Sequence, residues 1–74
     1  MHNENKVQLN KLYRCFDGNY YRPLHVGVNI HCDKLYVTYC SNDDRNKIWI
    51  CSLDYWNGIQ VVNGNFEKRF ALDA

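Results

Sequence analysis

Period-two alternation dominates the chain. From Tyr20 to Ile30, the residues Leu24, Val26, Val28 and Ile30 fall on one side, with Tyr21, Pro23, His25, Gly27 and Asn29 on the other. That pattern predicts a long half-buried strand. Pro23 has no N–H to give a ladder, so it marks an edge, a bulge or a bend. Leu35–Ser41 alternates Leu35, Val37 and Tyr39 against Tyr36, Thr38 and Cys40. Lys47–Ser52 alternates Ile48 and Ile50 against Trp49 and Cys51. Lys11–Phe16, Ile59–Val62 and Phe66–Phe70 supply further short strands. Asp17-Gly18-Asn19 and Asn63-Gly64 are hairpin signals, because these residues adopt positive φ at low cost. His31–Lys34 reads as a turn, Ser41–Asn46 as a polar loop, and Leu53–Trp56 as a single 3₁₀-like turn. No segment shows a 3.6-residue period.

Five to six short strands predict an all-β domain, a small curled antiparallel sheet or a partly open SH3-like barrel. Residues 1–10 read as a flexible lead-in and residues 11–74 as a single β domain. Combining the alternations assigns Leu24, Val26, Val28, Ile30, Leu35, Val37, Ile48 and Ile50 to the core. The opposite face then carries Tyr21, His25, Asn29, Tyr36, Thr38, Trp49 and Cys51, with Tyr55 and Trp56 beside it.

Composition narrows the picture. A chain of 74 residues has room for one core, and a domain this small buries only about 60% of its unfolded surface. Eleven aromatics (six Tyr, three Phe, two Trp) concentrate that burial, and a homo-oligomer would add to it. Nine basic and eight acidic residues give a net charge of +1, which disfavours non-specific nucleic-acid binding. Apolar runs are too short to span a membrane, and Met1-His2-Asn3-Glu4-Asn5 does not open as a secretory leader. A cytoplasmic protein is expected. Cys15, Cys32, Cys40 and Cys51 are spaced by 16, 7 and 10 intervening residues, without the close pairs of structural zinc sites. Reduced thiols acting as small apolar side chains, a zinc site using His25 or His31, and a disulfide all remain open.

Catalytic signatures are absent. Cys32 beside His31 juxtaposes a nucleophile and a base, but neighbours on a strand point to opposite faces. No phosphate loop, zinc-protease helix or catalytic carboxylate pair is present. The expectation is a non-enzyme with no cofactor and no metal. An aromatic face interleaved with His, Asn and Thr points instead to a binding groove. Tyr21, His25, Asn29, Tyr36, Trp49, Tyr55 and Trp56 are the candidate ligand-binding residues, with Arg22 and Arg69 placed to meet phosphates. The expected function is a non-catalytic module that binds or sequesters a nucleotide-like small molecule. The alternative is a protein-interaction module or inhibitor, docking a host protein on the same aromatic face with Trp56, Tyr55 and Tyr36 as anchors.

Tyr13-Arg14-Cys15-Phe16-Asp17-Gly18-Asn19-Tyr20-Tyr21 resembles the opening of a small bacterial and phage domain family of unknown function (number sixteen fifty-three), which typically reads Tyr-x-His-aromatic-Lys-Gly-x-x-Tyr. Leu35–Tyr39, Ile48-Trp49-Ile50, Tyr55-Trp56, Asn63-Gly64 and Arg69-Phe70 are similar to its later segments in spacing, over roughly residues 12–71. The polar positions depart: the family's first His and Lys are Cys15 and Asp17 here, and its Arg-Pro after the central Trp is Cys51-Ser52. The resemblance implies a small β fold, in a family with no established enzymatic activity. Phage counter-defence proteins of similar size, which sequester cyclic or ADP-ribose-derived signals as oligomers, supply the functional analogy.

Overall fold

The computed structural model describes residues 7–73. The lead-in expected over residues 1–10 therefore lies largely outside them. Among the described residues, seven strands and one helical turn follow in order: β1 (Tyr13–Cys15), β2 (Tyr20–Asn29), β3 (Lys34–Ser41), β4 (Ile48–Ser52), α1 (Leu53–Trp56), β5 (Ile59–Val62), β6 (Asn65–Lys68) and β7 (Phe70–Leu72). Five strands form one antiparallel sheet in the order β4-β3-β2-β1-β7, and β5 and β6 form a separate hairpin. The all-β expectation holds as an open curled sheet. The strands number seven because the last predicted strand, Phe66–Phe70, is cut at Arg69 into β6 and β7.

Turn chemistry sets the hairpins. Asn63 and Gly64 both take positive φ, 52° and 82°, which is the type I′ geometry that matches strand twist. At the β2–β3 turn, Asn29 Oδ1 accepts the His31 N–H at 2.8 Å, and the Asn29 carbonyl accepts the Asp33 N–H at 2.7 Å. Ser52 caps α1, its hydroxyl accepting the Tyr55 N–H at 3.1 Å. This places one α-helical turn where a 3₁₀-like turn is expected.

Register decides which side is inside. Val37 pairs with Cys51 and Tyr39 with Trp49, and directly paired residues share a face. Trp49 and Cys51 therefore lie on the core side with Val37 and Tyr39, and Ile48 and Ile50 lie on the other. In β2 the pairing shifts between Pro23 and His25. The extra residue, Leu24, is a β-bulge that inverts the alternation. Before it Tyr21 and Pro23 face the core side; after it Val26 and Val28 do.

The expected core is thus corrected. Val37 is fully buried and Val26 packs against the core, but Ile48, Ile50, Leu35, Val28 and Ile30 are exposed. Leu24 is half-buried and outside the core cluster. Tyr13, Cys15, Val37, Leu53, Trp56 and Phe70 form the core. It is chiefly an aromatic cluster: Trp56 stacks on Phe70 with centroids 3.9 Å apart and planes 6° from parallel. Tyr39 meets Tyr21, Trp49, Trp56 and Phe70 at 5.2–5.8 Å. Large rings supply, in few residues, the apolar area that a chain this short must bury.

Candidate functional site

The nine candidate ligand residues fall into separate places. Tyr21, Trp49 and Trp56 belong to the aromatic cluster on the inner face. Trp56 is only 1% exposed, so it is a core residue and presents no ring to solvent. Tyr55, one position earlier, is exposed and lies against the Arg69 guanidinium, whose carbon is 4.1 Å from the ring centroid.

Arg69 is a clamp. It donates to the Tyr55 carbonyl at 2.8 Å, to the Ile59 carbonyl at 3.0 Å and to Gln60 Oε1 at 3.3 Å. Its own backbone N–H reaches the Gly58 carbonyl at 2.9 Å. These bonds hold the β5–β6 hairpin to α1 and interrupt the last strand. Arg22 is likewise engaged, donating to the Asn10 carbonyl at 3.0 Å and to Asn42 Oδ1 at 3.3 Å.

His25, Asn29 and Tyr36 are brought together. The bulge at Leu24 puts His25, Gly27 and Asn29 on the outer face of β2. Tyr36 and Thr38 lie across from Gly27 and His25 in β3, and Thr38 faces Ile50 in β4. Together they line a groove of about 290 Å³ across the middle of the sheet. Gly27 makes the hollow. A Cβ built there meets nothing within 4 Å.

The groove surface is mostly apolar, with a few polar groups set into it. Asn29 Oδ1 is occupied by the His31 N–H, which leaves its side-chain N–H groups as the donors it can offer. The Tyr36 phenol is pushed above its ordinary pKa of 10.0 by the Cys32 thiol, both through charge and through a hydrogen bond, and it stays neutral. Thr38 Oγ1 is buried without a hydrogen-bond partner among the described residues. Buried polar atoms are ordinarily satisfied, and this hydroxyl, closed off from solvent, is an exception.

The surrounding face is basic. Arg14, Arg22 and Lys34 lie on the outer face of the five-stranded sheet, and no Asp or Glu of its strands shares it. Lys34 pairs with Asn29 at the end of the groove. The sequence reading missed Lys34 as a ligand candidate. Alternation alone placed Thr38 on this face, but only the bulge reveals that it sits across from His25.

A second hollow of about 260 Å³ lies at the edge of the core, between Tyr13, Trp56, Phe70 and Lys68. Its rings are committed to core packing, and the Tyr13 hydroxyl accepts the Gln8 N–H at 2.9 Å. The thiols are unbridged: Cys15 and Cys40 are buried, Cys51 is half-buried and Cys32 is exposed. No group of three His, Cys, Asp or Glu side chains among the described residues is placed to hold a metal ion. No helix among them is long and apolar enough to cross a membrane.

No family model matches the sequence, and neither does any curated protein. Among solved structures, the chain is similar to a protein belonging to the DUF1653 family from Bordetella bronchiseptica. The TM-score is 0.78 at 21% identity, over 95% of this chain and 92% of that one. The fold is therefore the one adopted by that protein. DUF1653 is also the domain of unknown function that the Tyr13–Tyr21 and Arg69-Phe70 segments resemble.

Proposed function

We propose that this domain is a non-catalytic binding module for a nucleotide-like small molecule, held in the outer-face groove. The observation that carries the reading is the groove itself, in which His25, Asn29 and Tyr36 converge around Gly27. Two flat rings offer stacking surfaces for a base. The Asn29 amide offers edge recognition. Lys34, at the end of the groove, attracts the ligand's negative charge. The groove's volume is at the small end of ligand sites and suits a single base with its sugar. Within this reading the molecule sequesters its ligand without turnover, in the manner of counter-defence proteins, and acts without cofactor or metal.

The assignment of phosphate contacts moves from Arg69, which is spent on backbone carbonyls, to Lys34. Calorimetric titration with a panel of mononucleotides and cyclic dinucleotides tests the proposal. Saturable one-site heat is expected, with affinity about tenfold to a hundredfold weaker in Lys34→Glu, the scale of a lost charge-assisted contact. No heat from any nucleotide would overturn it.

The protein-interaction reading rests on a different surface. In the β5–β6 hairpin, Val61 pairs with Phe66 and Ile59 lies on the same face. All three are more than half exposed, Phe66 at 75%. A stoichiometric protein partner lost in Phe66→Asp would favour that reading.

A further inference from the structure

We infer that two copies of this chain pair edge to edge through β4, continuing the sheet and closing the open side of the groove. The pairing stands on the strand edge itself. The closure of the groove rests in addition on the proposed ligand site.

The hydrogen-bond phase of the sheet identifies the free groups. Asn42 donates its N–H to the Tyr20 carbonyl at 2.9 Å, so the alternate residues Cys40 and Thr38 direct their backbone groups toward β2. Tyr39 and Val37 direct theirs toward β4, where they meet Trp49 and Cys51. The N–H and C=O groups of Ile48 and Ile50, and the N–H of Ser52, therefore point outward along the edge of the sheet.

Edge strands in stable monomers are normally blunted by a proline, a bulge, charged side chains on the edge, a covering helix or loop, or very short length. Over its five residues β4 carries no proline, bulge or charge, and Lys47 only precedes it. The opposite edge, β7, is three residues long. The outward side chains of β4 are also apolar, with Ile48 51% and Ile50 64% exposed.

The strand is complementary to itself in the antiparallel sense. A two-fold axis at Ile50 pairs Ile50 with Ile50 of the second copy, each exchanging N–H and C=O. It sets the Ser52 N–H of one copy against the Ile48 carbonyl of the other. On the inner face Trp49 then lies across from Cys51 of the second copy.

Charges agree with this register. Lys47 precedes the strand, and its ammonium lies over the Trp49 ring at 5.5 Å, on the inner side. Asp54 follows the strand in the first turn of α1, and α1 packs on that side through Leu53 and Trp56. The two-fold brings Lys47 of each copy beside Asp54 of the other. The groove gains as well. Ile50 lines its outer rim, and the Ile50 of the second copy would wall that rim.

Sedimentation equilibrium or native mass spectrometry of the full chain tests the inference. A concentration-dependent dimer is expected. Ile50→Pro removes an outward N–H while leaving the ladder to β3 intact, and a folded monomer is expected from it. Lys47→Glu should weaken the dimer about tenfold, from two lost surface ion pairs made repulsive. The double variant Lys47→Glu with Asp54→Lys should restore it. That charge swap decides the register even if Ile50→Pro fails to fold. A monomer at all concentrations, or a dimer insensitive to the charge reversal and its swap, would overturn the inference. Nucleotide binding by such a monomer would leave the ligand proposal standing alone.

Discussion

Trp56→Ala is the substitution that most sharply separates a core tryptophan from a binding-site one. Trp56 is 1% exposed. Its ring stacks on Phe70 at 3.9 Å and meets Tyr13 and Tyr39 edge-on, each at 5.2 Å. Truncation removes a buried indole and leaves a cavity that three rings bound, a loss of about 3–5 kcal/mol. A 74-residue domain has a total stability on the order of 4–11 kcal/mol. The variant should therefore lose much or all of its folded population. Urea denaturation followed by far-ultraviolet circular dichroism is the assay, with Trp49 fluorescence as a second probe. With a slope near 1 kcal/mol per molar urea, the midpoint should fall by about 3 M or more, or the chain should be unfolded without denaturant. Tyr55→Ala, one position away and 46% exposed, should cost no more than about 1 kcal/mol, the scale of its contact with Arg69. A Trp56→Ala midpoint within about 0.5 M of the parent would refute the burial argument.

Other outcomes follow from the same geometry. Arg69→Met strands the Tyr55 and Ile59 carbonyls and should cost about 1–3 kcal/mol in a thermal or urea melt, while leaving affinity at the outer groove unchanged. Stability should be flat to about pH 9 and then fall, because burial pushes Cys51 up to about 11 from 9.0 and Tyr39 up to about 12 from 10.0. The folded state keeps protons that the unfolded chain releases, so stability drops as pH rises from about 9 to 12. In Cys51→Ala the fall just above pH 9 should be shallower, with the buried Cys15 thiol still contributing there, read from urea melts across a pH series. An aromatic disulfide reagent should label the exposed Cys32 promptly and reach the buried Cys15 and Cys40 only on unfolding.

Strand positions were legible because alternation and turn residues report local geometry directly. Ile59–Val62 is observed at its expected bounds, and β2, β3 and β4 begin or end within one residue of theirs. Which face is buried was not legible, because it depends on two non-local facts. One is the register that sets Trp49 across from Tyr39. The other is the bulge at Leu24, which Pro23 signals only as an irregularity. Aliphatic side chains such as Ile48 and Ile50 are taken as core by hydropathy, yet the rings opposite them bury more area per residue and win the inside. The same inversion divides the candidate site. His25, Asn29 and Tyr36 stayed on the outer face, while Tyr21, Trp49 and Trp56 went in. Arg69 read as a phosphate ligand because a sequence does not show that three carbonyl and amide oxygens already occupy its guanidinium.

The outer-face groove is tested most directly by amide and side-chain NMR shift mapping during nucleotide titration, in the parent and in Gly27→Val. Valine suits a strand, and a Cβ at position 27 enters open space, so the variant should fold while its side chain fills the hollow. Shifts are expected at Gly27, Tyr36, Thr38 and Ile50 in the parent and should vanish in the variant with its melting temperature retained. Shifts centred instead on Trp56, Phe70 and Lys68, or undiminished binding by Gly27→Val, would contradict the account.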